Sequence, residues 1–144
     1  MGSEMCIRDR AIVDAGRLQN YVLGSYTARK LGLESTANAG GVRNLHVSNT
    51  GQSFDDLLSQ MGTGLLVTEL IGSGINMVTG DYSRGAAGFW VENGELQYPV
   101  EEVTIAGNLT DIYRNIVAIG NDYDNRGNTE CGSIVVENMT IAGS

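Results

Sequence analysis

Three segments of the chain combine helix-forming residues with capping residues at their ends. The clearest helix is predicted over 53–61, with Ser53 as its N-cap and Gly62 directly after its last turn. Its apolar residues fall on one face, formed by Phe54, Leu57, Leu58 and Met61. Shorter helices are predicted over 25–33 and 109–115.

Apolar or alternating runs between glycine and asparagine residues predict the strands. They are predicted over 18–24, 44–48, 65–71, 75–79, 87–91, 95–98, 103–105, 116–119 and, as one or two strands, 131–141. Asn93-Gly94 lies between two of these runs and is a strong hairpin signal. Six or more strands with three short helices predict an α+β fold with a mostly antiparallel sheet, as the C-terminal part of a larger protein.

The second half of the chain contains one short internal sequence repeat, here called the echo. Segments 100–108 and 136–144 are identical at six of nine positions. A single repeat interval does not support a solenoid. The echo therefore predicts two equivalent strand-turn elements in one sheet.

Composition and charge narrow the classes of function. The chain has 17 acidic and 9 basic residues, for a net charge of −8, and its one basic cluster is Arg29-Lys30. A nucleic-acid or anionic-membrane surface normally needs a basic face, so we expect neither nucleic acid nor membrane as a partner. No apolar run approaches the roughly 20 residues of a membrane helix, and no secretory signal is recognisable. With two distant cysteines, this predicts a cytoplasmic protein.

The first ten residues differ in character from the rest. Segment 1–10 has no helical or strand period and resembles translated adapter or other artificial sequence. The alternative is a short natural tail. We therefore expect the natural domain to be 11–144, with Cys6 outside it.

The chain does not contain a complete set of residues for a metal or nucleophilic site. His46 is the single histidine, Cys131 is the remaining cysteine, and a His-Glu-x-x-His motif is absent. Gly-x-Ser-x-Gly and the glycine-rich phosphate loops are absent as well. A packed or surface histidine and a buried, inert thiol are the simplest roles for these two side chains. We assign no catalytic residue to this chain.

One segment concentrates polar chemistry next to small residues. The predicted substrate-binding residues are Asp81, Tyr82, Ser83, Arg84 and Gly85. Arg84 could hold a carboxylate in a two-pronged pair, and the small residues around it would let an extended peptide approach by strand addition. The alternative is a glycine-rich bend with a local ion pair between Asp81 and Arg84.

Segment 80–94, GDYSRGAAGFWVENG, together with 98–108, YPVEEVTIAGN, closely resembles the C-terminal domain of the PmbA/TldD metalloprotease family. Segments 26–32, 38–41 and 62–70 fit too, so the resemblance extends from about Ala11 to Ser144. It is strongest to the PmbA branch, also called TldE.

The resemblance implies a cytoplasmic protease in which a TldD-type subunit pairs with a PmbA-type subunit and acts on unfolded or leader peptides. The TldD branch carries a His-Glu-x-x-x-His helix and a C-terminal cysteine as metal ligands. Cys131 falls near that cysteine and is the candidate metal ligand here. The PmbA branch generally lacks the histidine pair, and this chain has no His-Glu.

Zinc is therefore expected in the full complex and not within this chain, and we do not expect this chain to be active alone. The alternative is a non-catalytic structural subunit that shapes the chamber and binds substrate backbone for a TldD-type partner. An unrelated small ligand-binding domain is the third interpretation.

Overall fold

The computed structural model describes residues 9–143, which form two compact units, 9–45 and 46–143. The α+β fold with mostly antiparallel strands is confirmed. Among these residues, the elements in chain order are β1 (Val13–Asp14), β2 (Arg17–Leu18), α1 (Ser25–Leu31), β3 (Leu45–His46), α2 (Phe54–Met61), β4 (Gly64–Ile71), β5 (Asp81–Glu92), β6 (Glu95–Asn108), α3 (Leu109–Arg114), β7 (Ile116–Ile119), β8 (Thr129–Glu130), β9 (Ile134–Val136) and β10 (Thr140–Ala142). No helix between residues 9 and 143 has the length and apolar character to cross a membrane.

The boundary predicted at residue 11 stays a prediction. Residues 1–8, including Cys6, lie outside the described residues. Residues 9 and 10 are described, and the Arg10 guanidinium donates to the backbone carbonyl of Thr36 at 3.3 Å.

The first unit contains the hairpin β1–β2 and helix α1. The helix ends at Gly32, which adopts the left-handed conformation with φ of 66°. A strand predicted over 18–24 is wrong beyond Leu18, because the backbone there bonds to a loop and not to a strand. The N–H of Leu23 donates to the Thr36 hydroxyl at 2.7 Å, and its carbonyl accepts from the N–H of Asn38 at 3.1 Å.

The second unit is built on a four-stranded antiparallel sheet in the order β10–β6–β5–β4. The predicted Asn93-Gly94 turn joins β5 to β6, with φ of 53° and 76°, the positive values that a tight hairpin turn requires. Helix α2 packs beside this turn, since the N–H of Gly94 donates to the Gly62 carbonyl at 2.8 Å. The Ser53 cap is confirmed: its side chain accepts from the N–H of Asp56.

One buried apolar cluster lies on one face of this sheet. Its buried centre is formed by Ala86, Val103 and Ile105, and partly buried side chains pack around it: Leu65, Val67, Tyr82, Val100 and Met139. A second antiparallel pair, β7–β9, stands apart from the large sheet. Pro99 lies inside β6, but β10 pairs only with 104–106. Within residues 9–143, no second strand therefore pairs with β6 at Pro99, and a missing N–H is tolerated there.

The internal echo brings its two copies together as neighbours. Strand β10 pairs antiparallel with β6 so that Ile141 lies opposite Ile105, its equivalent in the other copy. Each copy has a non-glycine residue with positive φ at the same place, Glu102 at 56° and Asn138 at 58°. The two segments thus share a backbone shape as well as a sequence, and the prediction of equivalent elements in one sheet is confirmed.

The strand predicted over 75–79 is wrong, because this segment forms a turn. The side chain of Asn76 accepts from the N–H groups of Val78 and Thr79, at 2.9 and 3.2 Å. The N–H of Gly80 donates to the Asn76 carbonyl at 2.8 Å and closes the loop. An asparagine that bonds its own backbone in this way favours a turn over a strand.

Candidate functional site

The predicted binding segment lies in a regular part of β5. Residues 81–86 pair with 103–108 of β6 without a register shift, so consecutive side chains alternate between the two faces of the sheet. Tyr82 and Arg84 lie on the same face as the buried Ala86. The opposite face carries the other three predicted residues, Asp81, Ser83 and Gly85.

Strand β5 is an inner strand, and its backbone groups are used within the sheet. β6 pairs with it from Asp81 to Glu92, and β4 pairs with it from Gly85 to Val91. Beyond the end of β4, the N–H of Ser83 donates to the Gly74 carbonyl at 2.7 Å. A peptide therefore cannot add alongside this part of β5. Contacts from the segment to a peptide must come from side chains.

The local ion pair considered for Asp81 and Arg84 is wrong. The two residues are three positions apart on a regular strand and face opposite sides. The Asp81 carboxylate accepts from the Thr79 hydroxyl at 2.6 Å, and the Arg84 guanidinium donates to the Leu70 carbonyl at 3.4 Å. The segment is a strand and not a bend, and each charge has a separate environment.

Cys131 lies beside a tightly packed turn that Asp122 holds in place. One oxygen of Asp122 accepts from the backbone N–H of Ser133 at 2.9 Å, and the other accepts from its hydroxyl at 2.6 Å. Gly132 lies so close to Gly120 that a Cβ atom there would be 1.9 Å from the Gly120 carbonyl oxygen. The residues that follow Cys131 are therefore fixed, and only glycine fits at position 132.

The Cys131 thiol is half-buried and hydrogen-bonded to the backbone of the next residue. Its Sγ donates to the Gly132 carbonyl at 3.3 Å. Burial raises the pKa of Cys131, and the negative charge of Asp122 raises it further. The pKa of Asp122 is lowered: burial pushes it upward, but the hydrogen bonds from Ser133 outweigh that effect. A thiol of this kind is neutral at pH 7 until a cation stabilises the thiolate.

His46 does not join Cys131 in a metal site. Its Nδ1 lies 3.1 Å from a carboxylate oxygen of Glu130, and its ring lies 5.3 Å from that of Tyr123. The Tyr123 hydroxyl donates to the Val47 carbonyl at 3.0 Å. The start of the second unit thus contacts Tyr123 through Val47 and Glu130 of β8 through His46. Within residues 9–143, no three His, Cys, Asp or Glu side chains come together to hold a metal ion. Cys131 offers a ligand of the kind that zinc prefers, but these residues do not complete the site.

Two contributors to these clusters were missed from the sequence. Asp122 and Glu130 lie in a polar, glycine-containing stretch whose sequence has no helix or strand pattern, so no role is predicted for them. Asp122 is eleven positions from Ser133, and Glu130 is 84 positions from His46. No local pattern links either residue to its distant partner, so nothing in the sequence points to these contacts.

Comparison with known proteins identifies a family. The chain matches the model of the PmbA/TldA metallopeptidase C-terminal domain over residues 5–143. It is 59% identical over 134 residues to Metalloprotease PmbA of Escherichia coli O157:H7, which covers 93% of this chain and 30% of that protein. It is 54% identical over 138 residues to the Metalloprotease PmbA homolog of Haemophilus influenzae, which covers 95% and 31%. A Metalloprotease TldD homolog from Buchnera aphidicola is 20% identical over 158 residues, covering 92% of this chain and 33% of that protein.

Solved structures agree with this assignment. A crystal structure from Bacteroides thetaiotaomicron superposes with a TM-score of 0.85 at 35% identity, over 94% of this chain and 30% of that one. A structure from Thermotoga maritima gives 0.82 at 39% identity, over 91% and 32%. Both of those proteins are named as modulators of DNA gyrase. The chain thus spans about 30% of the length of the relatives it matches.

Proposed function

Since the chain belongs to the PmbA/TldD metallopeptidase family and matches its C-terminal domain, we propose that it forms part of a PmbA (TldE)-type subunit in a cytoplasmic metalloprotease. In this proposal the partner is a TldD-type subunit, and the complex hydrolyses unfolded or leader peptides. The observation that carries the proposal is the 59% identity to Metalloprotease PmbA over 93% of the chain.

The part played by this chain is to hold the peptide. β4 is the outer strand of the four-stranded sheet, so its outer edge has backbone groups free for an extended peptide within the described residues. The inner strand β5 adds side chains and not backbone, with Tyr82 and Arg84 on one face of the sheet. On the other face the proposed substrate-binding side chains are those of Asp81 and Ser83, and Gly85, the remaining predicted residue, has no side chain to contribute.

Zinc belongs to the complete complex in this proposal, with most of its ligands outside this chain. Cys131 is the one candidate ligand here, and the Asp122–Ser133 bonds hold the turn beside it. When bound, zinc polarises the scissile carbonyl and activates a water molecule. In this chain, the Cys131 thiol would have to give up its proton to become a ligand, and its raised pKa opposes that at neutral pH and below.

A purely structural subunit is the second candidate. It is favoured by the single histidine of the chain, which pairs with Glu130 and not with Cys131. Here the subunit shapes the chamber and grips the peptide, and all metal chemistry belongs to the TldD-type partner. A direct role in binding DNA gains no support from the second unit, where 13 carboxylates accompany three arginines over residues 46–143.

The test is metal analysis of the full-length pair, with Cys131→Ser in this subunit and Asp124→Asn as a control on a nearby exposed carboxylate. Loss of zinc and of peptide hydrolysis in Cys131→Ser alone supports Cys131 as a ligand. Unchanged zinc and activity favour the structural subunit. A pair that never cleaves an unfolded peptide, with zinc present, contradicts the proposed protease.

A further inference from the structure

Arg84 has hydrogen-bonding capacity that the described residues do not use. Its Nε is buried, and it is the one buried side-chain nitrogen or oxygen between residues 9 and 143 without a hydrogen-bond partner. The only bond of this guanidinium there is the 3.4 Å contact from Nη2 to the Leu70 carbonyl. Buried donors in folded proteins are nearly always paired, so an orphan of this kind calls for a missing acceptor.

The neighbouring backbone is irregular at the same point. Ile71 pairs with Gly85 and Ile75 pairs with Tyr82, so the three residues 72–74 face only two residues of β5, and Arg84 is one of the two. Gly72 has φ of 76° and is exposed, as is Ser73. Bulges of this kind often re-aim a side chain beside a functional site. The backbone opposite Arg84 is therefore an exposed segment with one extra residue, next to a guanidinium that has an unused donor.

The missing acceptor does not come from the acidic residues around it. Residues 46–143 contain 13 carboxylates and only three arginines, and none of those carboxylates forms a salt bridge with Arg84. Arg126, by contrast, binds Asp124 at 2.7 Å. A guanidinium without an ion pair in this unit can attract an external anion. The surrounding carboxylates repel a doubly charged anion more strongly than a singly charged one, so an anion of low charge is favoured.

We propose that Arg84 binds a carboxylate of the peptide substrate through Nε and Nη2, and so makes a free carboxylate a specificity element of the proposed protease. This inference extends the proposed function and rests on it, because the bound peptide is a substrate only if the complex is a protease. Side-on pairing of a guanidinium with a carboxylate is a strong and directional contact. The carboxylate comes either from the peptide C-terminus or from an Asp or Glu side chain.

The test measures binding to the full-length subunit pair by calorimetry, so that it does not depend on hydrolysis. The probes are acetyl-pentaalanine with a free C-terminal carboxylate, the same peptide as its amide, and an amide in which the central alanine is replaced by glutamate. Inorganic phosphate is the competing anion. The variants are Arg84→Gln and Arg84→Lys, with Arg114→Gln as a control on an exposed arginine near the end of α3.

We expect the wild-type pair to bind one of the two carboxylate peptides about 10- to 100-fold more tightly than the plain amide, the range for hydrogen bonds to charged groups. The preferred peptide identifies the source of the carboxylate. Both Arg84 variants should lose that preference, because lysine keeps the charge but cannot pair side-on, while Arg114→Gln keeps it. If Arg84→Gln does not fold, Arg84→Lys decides.

Equal binding of all three peptides, or equal weakening of all three in Arg84→Lys, would overturn the proposal, as would tighter binding of phosphate than of the peptides. A pair that shows the preference but hydrolyses nothing contradicts the protease and leaves the carboxylate site standing. A pair that hydrolyses both amide and acid peptides equally contradicts only the carboxylate site.

Discussion

Gly88 is the position where the contact between β4 and β5 leaves no room for a side chain. A Cβ atom there would lie 1.8 Å from the carbonyl oxygen of Leu66, 2.8 Å from its carbon and 3.1 Å from the Cα of Val67. All three atoms belong to the β4 backbone, so no side-chain rotation can relieve the clash. Gly88→Ala must therefore push β4 away from β5.

The expected cost lies at the upper end of the range for overpacked sites, about 3 kcal/mol. For a domain of this size that corresponds to a drop of roughly 10 °C in melting temperature. The measurements are equilibrium urea unfolding and a thermal melt followed by circular dichroism. The displacement also moves Gly85 and the Arg84 contact with Leu70, since both depend on the same pair of strands.

Gly127→Ala is the matched control. The nearest atom to its added Cβ would be the Thr129 nitrogen at 3.9 Å, an ordinary contact, and its φ is not positive. The control should leave the free energy of unfolding unchanged or raise it by up to about 1 kcal/mol, through the unfolded chain. The reasoning is refuted if Gly88→Ala is as stable as Gly127→Ala.

Three further predictions concern a helix cap, acid stability and the thiol. Ser53→Ala should lower the free energy of unfolding by about 1 kcal/mol in urea, because it removes the N-cap of α2; an equal effect of Ser48→Ala, whose side chain has no hydrogen bond with the described residues, would contradict this. The pKa of Asp124 is held at about 2 by Arg126, and that of Asp122 is lowered as well; their stabilisation is therefore present above about pH 4 and lost as the pH falls toward 2. Asp122→Asn should flatten that loss in acid unfolding curves, and a curve parallel to wild type would count against it. Alkylation of Cys131, measured by peptide mass spectrometry, should be slow at pH 8 because the pKa of the thiol is raised. Asp122→Asn should make this alkylation faster, since it removes a negative charge near the thiol. An unchanged rate would show that Asp122 does not act on the thiol.

Local chemistry explains which parts of the fold could be predicted. The Ser53 cap and the Asn93-Gly94 turn depend on residues within four positions of each other, and both are confirmed. Apolar composition alone was misleading at 75–79, where Val78 is 94% exposed. The conformation of segment 75–79 is set by the side chain of Asn76. It accepts hydrogen bonds from the following N–H groups, which favours a turn.

The residues proposed for the candidate site come from the sequence, but their arrangement in space could not be predicted from it. Glycines at 85 and 88 interrupt the alternation of side chains that would identify β5 as a strand. The five residues 81–85 were therefore predicted as one group, whereas the strand divides them between two faces of the sheet. The bulge opposite Arg84 is formed by residues 72–74, which follow β4, and the support of Cys131 comes from Asp122, nine positions earlier along the chain. These are pairings between distant segments, which a periodicity within one segment cannot reveal.

The two copies of the echo pair with each other as β6 and β10, so their side chains contribute jointly to the free energy of unfolding. Ile105 and Ile141 face each other directly, and Thr104 and Ala106 lie opposite Ala142 and Thr140, so the register is the same read from either strand. Opposed side chains in such a ladder touch, and changes of size there do not add independently. A double-mutant cycle on Ile105 and Ile141 should therefore show a coupling energy and not two independent effects on stability.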